Sequence, residues 1–448
     1  MKDTQNFTQG RIFAPLIRFA LPVLFALFLQ TMYGAVDLLV VGQFGSSADV
    51  SAVATGSMLM QTITVVITGL AMGLTVLVGR KIGEGAPRQA GSIIGSGIVL
   101  FGILAAALSV ALVCTASLLS GLMQAPEEAF DATTAYIRIC SAGTVFIVAY
   151  NLVGSIFRGI GDSKMPLLTV AIACALNIAG DLLFVAVFEL GAAGAAAATV
   201  TAQAVSVVLS LMIIRRRPLP FIFTKSDLCP RRDEIRQILR LGIPIALQDL
   251  LVNISFLLMT VIVNGLGLIA SAGVGVAGKL CGFIMLVPSS YMQSMSAFVA
   301  QNIGAGRPDR ARRSLLCGVL SSLAAGILMF YFSFFHGDLL AALFAKDPAV
   351  ITAAAEYLRS YAIDCLMTCF LFCFIGYFNG CGNTLFVLIQ GITGAFCVRI
   401  PIAYWMSLQV PVSLFHIGLA TPASTLMQIL LCTGFFLHTL RKKYTPHA

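Results

Sequence analysis

The chain is 448 residues long, 58% hydrophobic and only 10% charged, with a net charge of +9 and a mean hydropathy of +0.95. This composition excludes a soluble globular domain, which needs far more polar surface, and favours a chain whose outer surface contacts lipid. Because lipid offers the backbone no hydrogen-bonding partners, a spanning segment must be a helix or part of a closed barrel. The long apolar runs do not alternate with a period of two, so we expect helices.

Twelve apolar segments follow one another along the chain, separated by short polar stretches. About 20 residues of helix cross a hydrocarbon layer of about 30 Å. The predicted spans are 14–41, 48–78, 90–118, 134–157, 165–188, 192–214, 239–263, 270–298, 313–335, 356–378, 385–407 and 414–438. The first span contains Asp37 and lacks a small-residue cleavage site, so we expect a membrane helix there and not a signal peptide.

Span 1 carries polar residues on one helical face. A charge such as that of Asp37 costs about 2.5–3.5 kcal/mol at mid-bilayer on insertion scales, so its presence requires a reason. Tyr33 and Gln30 precede Asp37 by four and seven residues, which places all three on one face. Pro22 begins this face, and a proline inside a helix frees a carbonyl and creates a bend point. We therefore expect a polar, bendable face that opens to a cavity.

Span 5 carries a second acid, Asp181, with Asn177 one helical turn before it. Asp37 lies five residues before Gly42 and Asp181 ten before Gly191, so we expect both acids in the outer half of the bilayer. Two carboxylates at the same depth repel each other strongly in a medium of low dielectric constant, and this repulsion favours the binding of H⁺ or dehydrated Na⁺. The alternative is that each acid only hydrogen-bonds to a neighbouring helix.

The stretch from Arg215 to Arg240 is the one long polar segment of the chain. It contains three prolines and eight basic residues, and we interpret it as a cytoplasmic linker between two halves. We therefore predict three parts: an N-lobe over residues 1–214 with spans 1–6, the linker over 215–238, and a C-lobe over 239–448 with spans 7–12.

Sequence repeats with a constant offset of 221 residues connect the two halves. The repeated segments are Ile82–Ala90 with Ile303–Ala311, Tyr136–Arg138 with Tyr357–Arg359, and Arg158–Ser163 with Asn379–Thr384. Six spans per half give both halves the same orientation. The predicted fold is an all-α polytopic membrane protein of two six-helix bundles related by a pseudo-two-fold axis along the membrane normal. The repeats Gly83/Gly85 and Gly304/Gly306 are interpreted as helix ends at the cytoplasmic surface, since a phosphate loop would also need a preceding strand and a Lys–Ser/Thr ending.

The second half does not repeat the acids of the first. The positions that match Asp37 and Asp181 are Met259 and Ile402. Other charged residues lie in its spans, and their roles stay open: Lys279, Arg399, Asp249 and Asp364. Lys279 could extend to the interface or pair with an acid, and Arg399 could pair with helix-end carbonyls. The coupling site is therefore expected in the N-lobe alone.

The basic residues are distributed unevenly between the two sides of the membrane. If both termini are cytoplasmic, 23 of the 28 lysines and arginines fall in or beside cytoplasmic segments. This asymmetry is the positive-inside pattern, so we predict cytoplasmic termini. The basic clusters are short and lack interleaved aromatic residues, so we expect no nucleic-acid partner.

Several of these motifs together resemble the multidrug and toxic compound extrusion (MATE) family over nearly the whole chain. The resemblance rests on Gly10 through Asp37–Gly42, Ile82–Gly85, Gln301–Gly306 and Arg158–Ser163. Within the family the chain looks most like the bacterial and archaeal DinF-type branch. The resemblance implies a secondary transporter of a bacterial inner membrane. It would export amphipathic organic cations in exchange for H⁺ or Na⁺, with alternating access between the two lobes.

The same resemblance implies site residues. An N-lobe cation site would consist of Asp37, Asn177, Asp181 and Thr199. The substrate cavity would include Gln30 and Tyr33, and the hinge of span 1 would be Pro22. We expect a monomer with no cofactor, no nucleotide and no metal other than Na⁺ at this site. The NorM-type branch has further acids in spans 7 and 10, where this chain has Val252, Asn253 and Thr368, so the resemblance does not extend to a C-lobe cation site.

Two other functions stay open on the sequence alone. A lipid-linked oligosaccharide flippase of the same superfamily would need a cationic cleft, for which Lys279 and Arg399 are candidates, but two acids at one cavity count against it. A membrane-embedded enzyme would need a nucleophile–base pair or a metal site within the spans. The four histidines lie near span ends or in the tail, and neither HExxH nor GxSxG occurs, so we predict a transporter and not an enzyme.

Overall fold

The structure is a computed structural model that describes residues 7–442 of the chain. The described residues form helices joined by turns and loops, without a β-strand among them. Counting the bent helix α4 as one span, the described part has twelve helices that are long and apolar enough to cross a membrane. They are α1 Phe13–Phe44, α2 Ser47–Gly83, α3 Pro87–Leu122, α4 Glu127–Ala142 with Thr144–Ile160, α5 Lys164–Val187, α6 Gly191–Arg215, α7 Arg232–Asn264, α8 Leu268–Gly304, α9 Pro308–Phe335, α10 Pro348–Cys381, α11 Thr384–Ser407 and α12 Leu414–Arg441.

The predicted all-α polytopic fold is confirmed, and each predicted span overlaps one helix. Most helices run further than the apolar stretch that marks them. α10 begins at Pro348 and not near residue 356, because Asp347 accepts a hydrogen bond from the N–H of Ala349 at 2.9 Å and Pro348 occupies the first turn. Hydropathy thus locates the apolar part of a helix, whereas caps decide where the helix ends. Lys2 and Lys443, two of the basic residues behind the predicted topology, lie outside the described residues.

The internal repeat is visible in the helix ends. α2 and α8 are followed by glycines with positive φ, +70° at Gly85 and +68° at Gly306. In both places the next N–H, of Ala86 or Arg307, bonds the carbonyl five residues back, at 3.0 and 2.8 Å. This is the double hydrogen-bonded glycine cap that ends many helices. The same cap recurs after α4 and α10, at Gly161 and Gly382. The prediction that the paired glycines are helix ends is confirmed.

Helix α4 is bent by 50° between its two segments, at Gly143. A Cβ on Gly143 would collide with the side chain of Val200 on α6. Glycine therefore lets α4 and α6 approach closely at the bend. The sequence predicted one uninterrupted span over 134–157, and the bend was missed because its cause is a contact between distant parts of the chain.

Two helices contain a widened π-helical segment. In α5 it covers Leu182–Val187, directly after Asp181, and in α11 it covers Thr393–Arg399. In α11 the cause is local, since Pro401 has no N–H to donate to the carbonyl four residues earlier. Such segments often lie at functional sites because they displace side chains from their regular helical positions. Both of these adjoin a buried charged residue.

The chain packs as two compact units whose limits differ from those of the sequence halves. The first unit holds Arg18–Ala246 together with Ala300–Arg307. The second holds Leu247–Val299 and the residues from 308 onward, together with Gly10–Ile17. Each unit therefore includes a short segment that comes from the other half of the sequence. The predicted lobe boundaries at residues 214 and 239 follow the sequence repeat and stay a prediction.

One central helix organises the core of each unit. In the most apolar stretches of α2 and α10, 67% of the residues are buried, against 17% in α3. In the first unit α2 approaches α7 closely, so that a Cβ on Gly73 would lie 2.7 Å from the backbone nitrogen of Gly242. In the second unit α9 contacts α10 through glycine, and Gly318 faces the Sγ of Cys373. Small residues at these crossings let helices pack without a hydrophobic driving force.

The linker lies against the N-terminal end of α3 in the first unit. The N–H of Ile222 bonds the carbonyl of Pro87 at 3.1 Å. Ser92 and Ser96 donate to the two carboxylate oxygens of Glu234, at 2.7 and 2.6 Å. These contacts fix the linker to one surface, so it is an ordered part of the first unit and not only a tether.

A charged cluster holds the middle of the linker. Asp227 accepts hydrogen bonds from the N–H of Thr224 at 2.7 Å and from Nη1 of Arg88 at 3.0 Å. The N–H of Thr224 lowers the pKa of Asp227, and the charge of Arg88 lowers it further. The carboxylate therefore stays charged and bonded at neutral pH.

Candidate cation site in the first unit

The four residues predicted to bind the coupling ion come together from three helices. Asp37 lies on α1, Asn177 and Asp181 lie on α5, and Thr199 lies on α6. Asp37 is 4% exposed, Asn177 2% and Asp181 0%, while Thr199 is half-buried. The acids are therefore inside the unit and not at its lipid-facing surface.

The hydroxyl of Thr199 links the two helices that carry the acids. It donates a hydrogen bond to Oδ2 of Asp37 at 3.3 Å and accepts one from Nδ2 of Asn177, also at 3.3 Å. The side chains of Asn177 and Asp181 also lie beside the carboxyl group of Asp37. All four side chains thus form one connected polar group.

This group has more hydrogen-bond acceptors than donors. Four of its buried oxygens have no hydrogen-bond partner among the described residues: Oδ1 of Asp37, Oδ1 of Asn177, and Oδ1 and Oδ2 of Asp181. Two unit charges about 4 Å apart repel by about 4 kcal/mol at an effective dielectric constant near 20. A proton or small cation placed between the acids would remove this repulsion and satisfy the free oxygens.

Small residues create the space in which the acids meet. Gly180 precedes Asp181, and a Cβ there would lie 3.0 Å from the Cβ of Ala198. The buried alanines of α6, Ala195, Ala196 and Ala198, bring that helix close to its neighbours. The π-helical segment of α5 begins directly after Asp181. Because its turns are wider, the apolar side chains that follow point in a different direction from the side chain of Asp181 than they would in a regular helix.

Two further polar residues adjoin the site, and the sequence had not indicated them. Gln203 lies beside the side chain of Tyr33, and Tyr150 lies beside the side chain of Gln30. Gln203 follows Thr199 by one helical turn, so the spacing on α6 could have revealed it. No comparable signal marks Tyr150. Tyr33 and Gln30 are half-buried, which leaves part of this polar surface accessible.

Pro22 is inside α1 but lies far from the acids. It precedes Asp37 by fifteen residues, which corresponds to about 22 Å along a helix. Tyr33 and Asp37, by contrast, lie close enough to interact electrostatically. The structure therefore brings together the predicted cation residues and Tyr33, and it leaves Pro22 at the opposite end of the helix.

The charged residues of the second unit have different surroundings. Lys279 is exposed on α8, and Asp249 is half-buried on α7. Arg399 is 5% exposed and donates from Nη1 to Oγ of Ser255 at 2.8 Å. Its hydrogen bond is with a side chain of α7, so the interpretation that it pairs with helix-end carbonyls was wrong. Asp364 is 2% exposed and therefore lies inside the second unit.

The donor set around Asp37 fits a hard cation. Its ligand atoms would be carboxylate, amide and hydroxyl oxygens, which are the ligands that such cations prefer. Among the described residues, no group of three or more His, Cys, Asp or Glu side chains is arranged to hold a metal ion.

Comparison with a known protein family agrees with this geometry. The family model described as MatE matches the chain twice, at residues 22–183 and 244–405. Residue 244 lies 222 positions after 22, and residue 405 lies 222 positions after 183, close to the repeat offset found in the sequence. The two matches together cover more than half of the chain.

Relatives of known name cover most of the chain. The probable multidrug resistance protein YpnP of Bacillus subtilis is 26% identical over 397 residues, 88% of each chain. The FAD transporter of Shewanella oneidensis is 26% identical over 366 residues, 80% of each chain. At this level of identity the relatives are similar proteins, and their names describe different cargoes.

Solved structures show the same fold. A crystal structure of MATE in complex with MaL6 superposes with a TM-score of 0.91 at 21% identity and covers 98% of both chains. The relatives and the structural neighbours are transporters and not enzymes. The double family match, the polytopic fold and the buried acids therefore agree, and the chain belongs to the MatE family of multidrug and toxic compound extrusion transporters.

Proposed function

We propose that the protein is a secondary active exporter that moves amphipathic organic cations out of the cell in exchange for H⁺ or Na⁺. The observation behind the proposal is the cluster of unpartnered acceptor oxygens around Asp37 and Asp181. A coupled transporter needs a site whose charge changes during the cycle. Two buried acids that form no ion pair with a described residue meet that requirement.

The cycle follows from the charge of this site. In the outward-open state a proton or Na⁺ enters the Asp37–Asp181 pair and the organic cation leaves. The neutralised site favours the inward-open state, in which the ion leaves and substrate binds again. One charge crossing about 180 mV provides roughly 4 kcal/mol, or about three decades of substrate gradient. Neither a nucleotide nor another cofactor is required.

Two features support an organic cation as the substrate. The site is acidic, and the polar groups next to it, Gln30 and Tyr33, combine hydrogen-bonding atoms with an aromatic ring suited to amphipathic molecules. The relative YpnP is described as a probable multidrug resistance protein. The FAD transporter shows that a relative of equal identity is described by a different cargo. Substrate class is therefore the first part of the proposal to test.

The proposed setting is a bacterial inner membrane, with both termini cytoplasmic and the chain acting as a monomer. In this setting Pro22 would be the hinge that lets α1 change shape when the site is neutralised. The flippase alternative rests on Lys279 and Arg399, but Arg399 is already engaged by Ser255. It is accordingly the weaker candidate.

Efflux from inverted membrane vesicles tests the proposal. A fluorescent organic cation should move against its gradient when a pH gradient is imposed, or when a Na⁺ gradient is imposed, and the effective gradient identifies the ion. Asp181→Asn and Asp37→Asn should each abolish ion-driven transport. The matched control is Asp131→Asn, an exposed acid at the start of α4. If both variants insert normally and export at the wild-type rate, the coupling proposal fails.

A further inference from the structure

The linker of the first unit has a fixed inner side, where its backbone crosses α3 at two glycines. A Cβ on Gly91 would collide with the carbonyl of Ile222. A Cβ on Gly95 would collide with the carbonyl of Asp227. Phe221 packs against the apolar core of the first unit. The fixed backbone therefore determines which side chains of the linker are covered and which are exposed.

The inner side of the linker takes up most of its acidic charge. Asp227 is 3% exposed and accepts a hydrogen bond from Arg88 of α3. Glu234 is half-buried, and both of its carboxylate oxygens accept hydrogen bonds from serines of α3. The third acid of the linker, Asp233, is exposed. The outer surface of the linker therefore carries little negative charge.

The basic residues of the linker are on its outer surface. Arg215, Arg216, Lys225 and Arg232 are exposed, and none of the four forms an ion pair with a described residue. We call these four the free basic residues of the linker. Because the acids are bonded on the inner side, the four positive charges are left without compensation, and such a surface attracts anions.

Apolar side chains are exposed among these basic residues. Ile222, Phe223 and Leu228 are 53%, 41% and 42% exposed. The exposed apolar surface of α6 leads directly to them, since Leu211 and Met212 are 48% and 47% exposed and lie about one helical turn before the end of that helix. The outer surface of the linker thus continues the surface of a membrane-spanning helix.

An anionic lipid surface matches each of these features. Headgroup phosphates complement basic side chains next to a membrane helix, and the acyl boundary below them accepts apolar side chains. An acidic soluble protein would match the charge, but it would not explain an apolar surface that continues from α6. The positive-inside pattern alone would require the basic residues, but neither the inward-facing acids nor the exposed apolar side chains.

We propose that the outer surface of the linker docks on anionic phospholipid of the adjoining membrane leaflet. The free basic residues bind the headgroup phosphates, and Ile222, Phe223 and Leu228 enter the acyl boundary. Each basic residue close to an anionic surface strengthens such binding about fivefold, and salt weakens it. This surface is separate from the candidate cation site, so the proposal holds for any substrate or coupling ion.

The test uses the full-length chain in vesicles of phosphatidylcholine with a minority of phosphatidylglycerol. Trp405 is the single tryptophan of the chain, so Trp405→Phe/Phe223→Trp places the only tryptophan in the linker. Bromine on an acyl chain quenches tryptophan fluorescence on contact, and only one of the two lipids is brominated in each sample. Brominated phosphatidylglycerol should quench about tenfold more per molecule than brominated phosphatidylcholine, and concentrated NaCl should reduce this preference.

Variants of the basic residues are made in the same tryptophan background. Arg215→Gln/Arg216→Gln should lower the preference for phosphatidylglycerol at least about fivefold, whereas Arg215→Lys/Arg216→Lys keeps the charge and should keep the preference. The matched control, Arg138→Gln/Lys346→Gln, removes two exposed basic residues outside the linker and should leave the preference unchanged.

Two results would overturn the proposal. Quenching by neither brominated lipid would show that the linker lies away from the bilayer, as an acidic soluble partner would require. Quenching in proportion to the amounts of the two lipids would show contact with the bilayer without recognition of anionic headgroups. Should Phe223→Trp fail to insert, Leu228→Trp places the tryptophan on the same exposed surface and gives the same measurement. The effect of NaCl on this preference requires no variant of the basic residues.

Discussion

Thr199 has a special position among the residues of the candidate cation site. Its hydroxyl bonds both Asp37 and Asn177, and both bonds are long at 3.3 Å. The usual length is about 2.7–2.8 Å for an O–H···O bond and about 2.9–3.0 Å for an N–H···O bond. A hydroxyl held by two long bonds can reorient, so that its oxygen becomes a ligand when an ion enters between the acids.

Replacing Thr199 by valine keeps the shape of the side chain and removes the hydroxyl. A hydrogen bond to a charged group is worth about 1.5–3 kcal/mol. If the coupling ion is Na⁺, we expect its apparent affinity to fall about tenfold or more, because a ligand oxygen is lost. If the ion is H⁺, we expect its apparent affinity to rise about tenfold, because the hydroxyl no longer stabilises the ionised carboxylate of Asp37. The measurement is the ion concentration that gives half-maximal efflux in vesicles. Thr201→Val, two residues further and exposed, is the matched control and should leave this concentration unchanged. Equal values for the two variants would show that the hydroxyl of Thr199 has no part in ion binding.

The sequence revealed only part of this group of residues. Asp37 and Asp181 were found because a charge in an apolar run is costly, and Asn177 because it lies one turn from Asp181. Thr199 came only from the family resemblance, since a threonine in a membrane helix is not unusual. The partners of Arg399 could not be predicted, because Ser255 lies 144 residues earlier and only the packing of α7 against α11 brings them together.

Among the elements, the end of α2 and the end of α8 meet in the first unit at two glycines. A Cβ on Gly83 would fall on the carbonyl of Gln301, and a Cβ on Gly304 would fall on the carbonyl of Arg80. The side chain of Gln301 adds a hydrogen bond from Nε2 to the carbonyl of Gly159 at 2.9 Å. The glycines are 221 residues apart, so equivalent positions of the repeat contact each other's helix. Glycine is required at both positions because a Cβ would clash, and not because of an unusual backbone conformation, since both residues lie within helices.

Gly304→Ala should therefore destabilise this contact, although alanine is the better helix former by about 1 kcal/mol. The segment Ala300–Arg307 would have to move away from α2, and its amide hydrogens should exchange at least about tenfold faster. Hydrogen exchange followed by mass spectrometry measures this rate. In the control, Gly102→Ala of α3, a Cβ would meet nothing within 4 Å, so stability should stay equal or rise. Unchanged exchange over residues 300–307 would contradict the steric argument.

The helices themselves were the easiest part of the fold to predict. Twelve apolar runs gave twelve spans, because the thickness of the hydrocarbon layer fixes the length of each. The bend of α4 and the π-helical segment of α5 were not predicted, because neither changes the hydropathy of the chain. The bend depends on the contact of Gly143 with Val200 of another helix. A single sequence holds no direct record of such contacts.

At the scale of the whole molecule, the two halves share their backbone scaffold but differ in the positions of their charged residues. The helix caps at Gly85 and Gly306 repeat almost identically, which shows that the backbone plan is shared by both halves. The acids do not repeat, and the second unit instead has the buried Arg399 at α11. The sequence predicted this asymmetry of the acids. It did not predict that Gly10–Ile17 would pack with the second unit, since no local pattern marks the exchange.

The orientation of the molecule is the largest feature that rests on sequence alone. The positive-inside pattern predicts that the linker faces the cytoplasm, and Arg231 and Arg232 are exposed on it. Trypsin added to sealed inside-out vesicles should therefore cut the chain in the linker, whereas right-side-out vesicles should protect it. Fragments separated by mass identify the cut.

An exposed lysine on the predicted outer side provides the internal control. Lys346 lies between α9 and α10, and trypsin should reach it only in right-side-out vesicles. Lys346→Gln should remove that fragment and leave the linker fragments of inside-out vesicles unchanged. Because the two sites must show opposite sidedness, leaky vesicles are recognised at once, as they would give both cuts together. Cleavage of the linker in right-side-out vesicles alone would reverse the topology. The outer-half position assigned to Asp37 and Asp181, and with it the direction of the proposed antiport, would then be reversed as well.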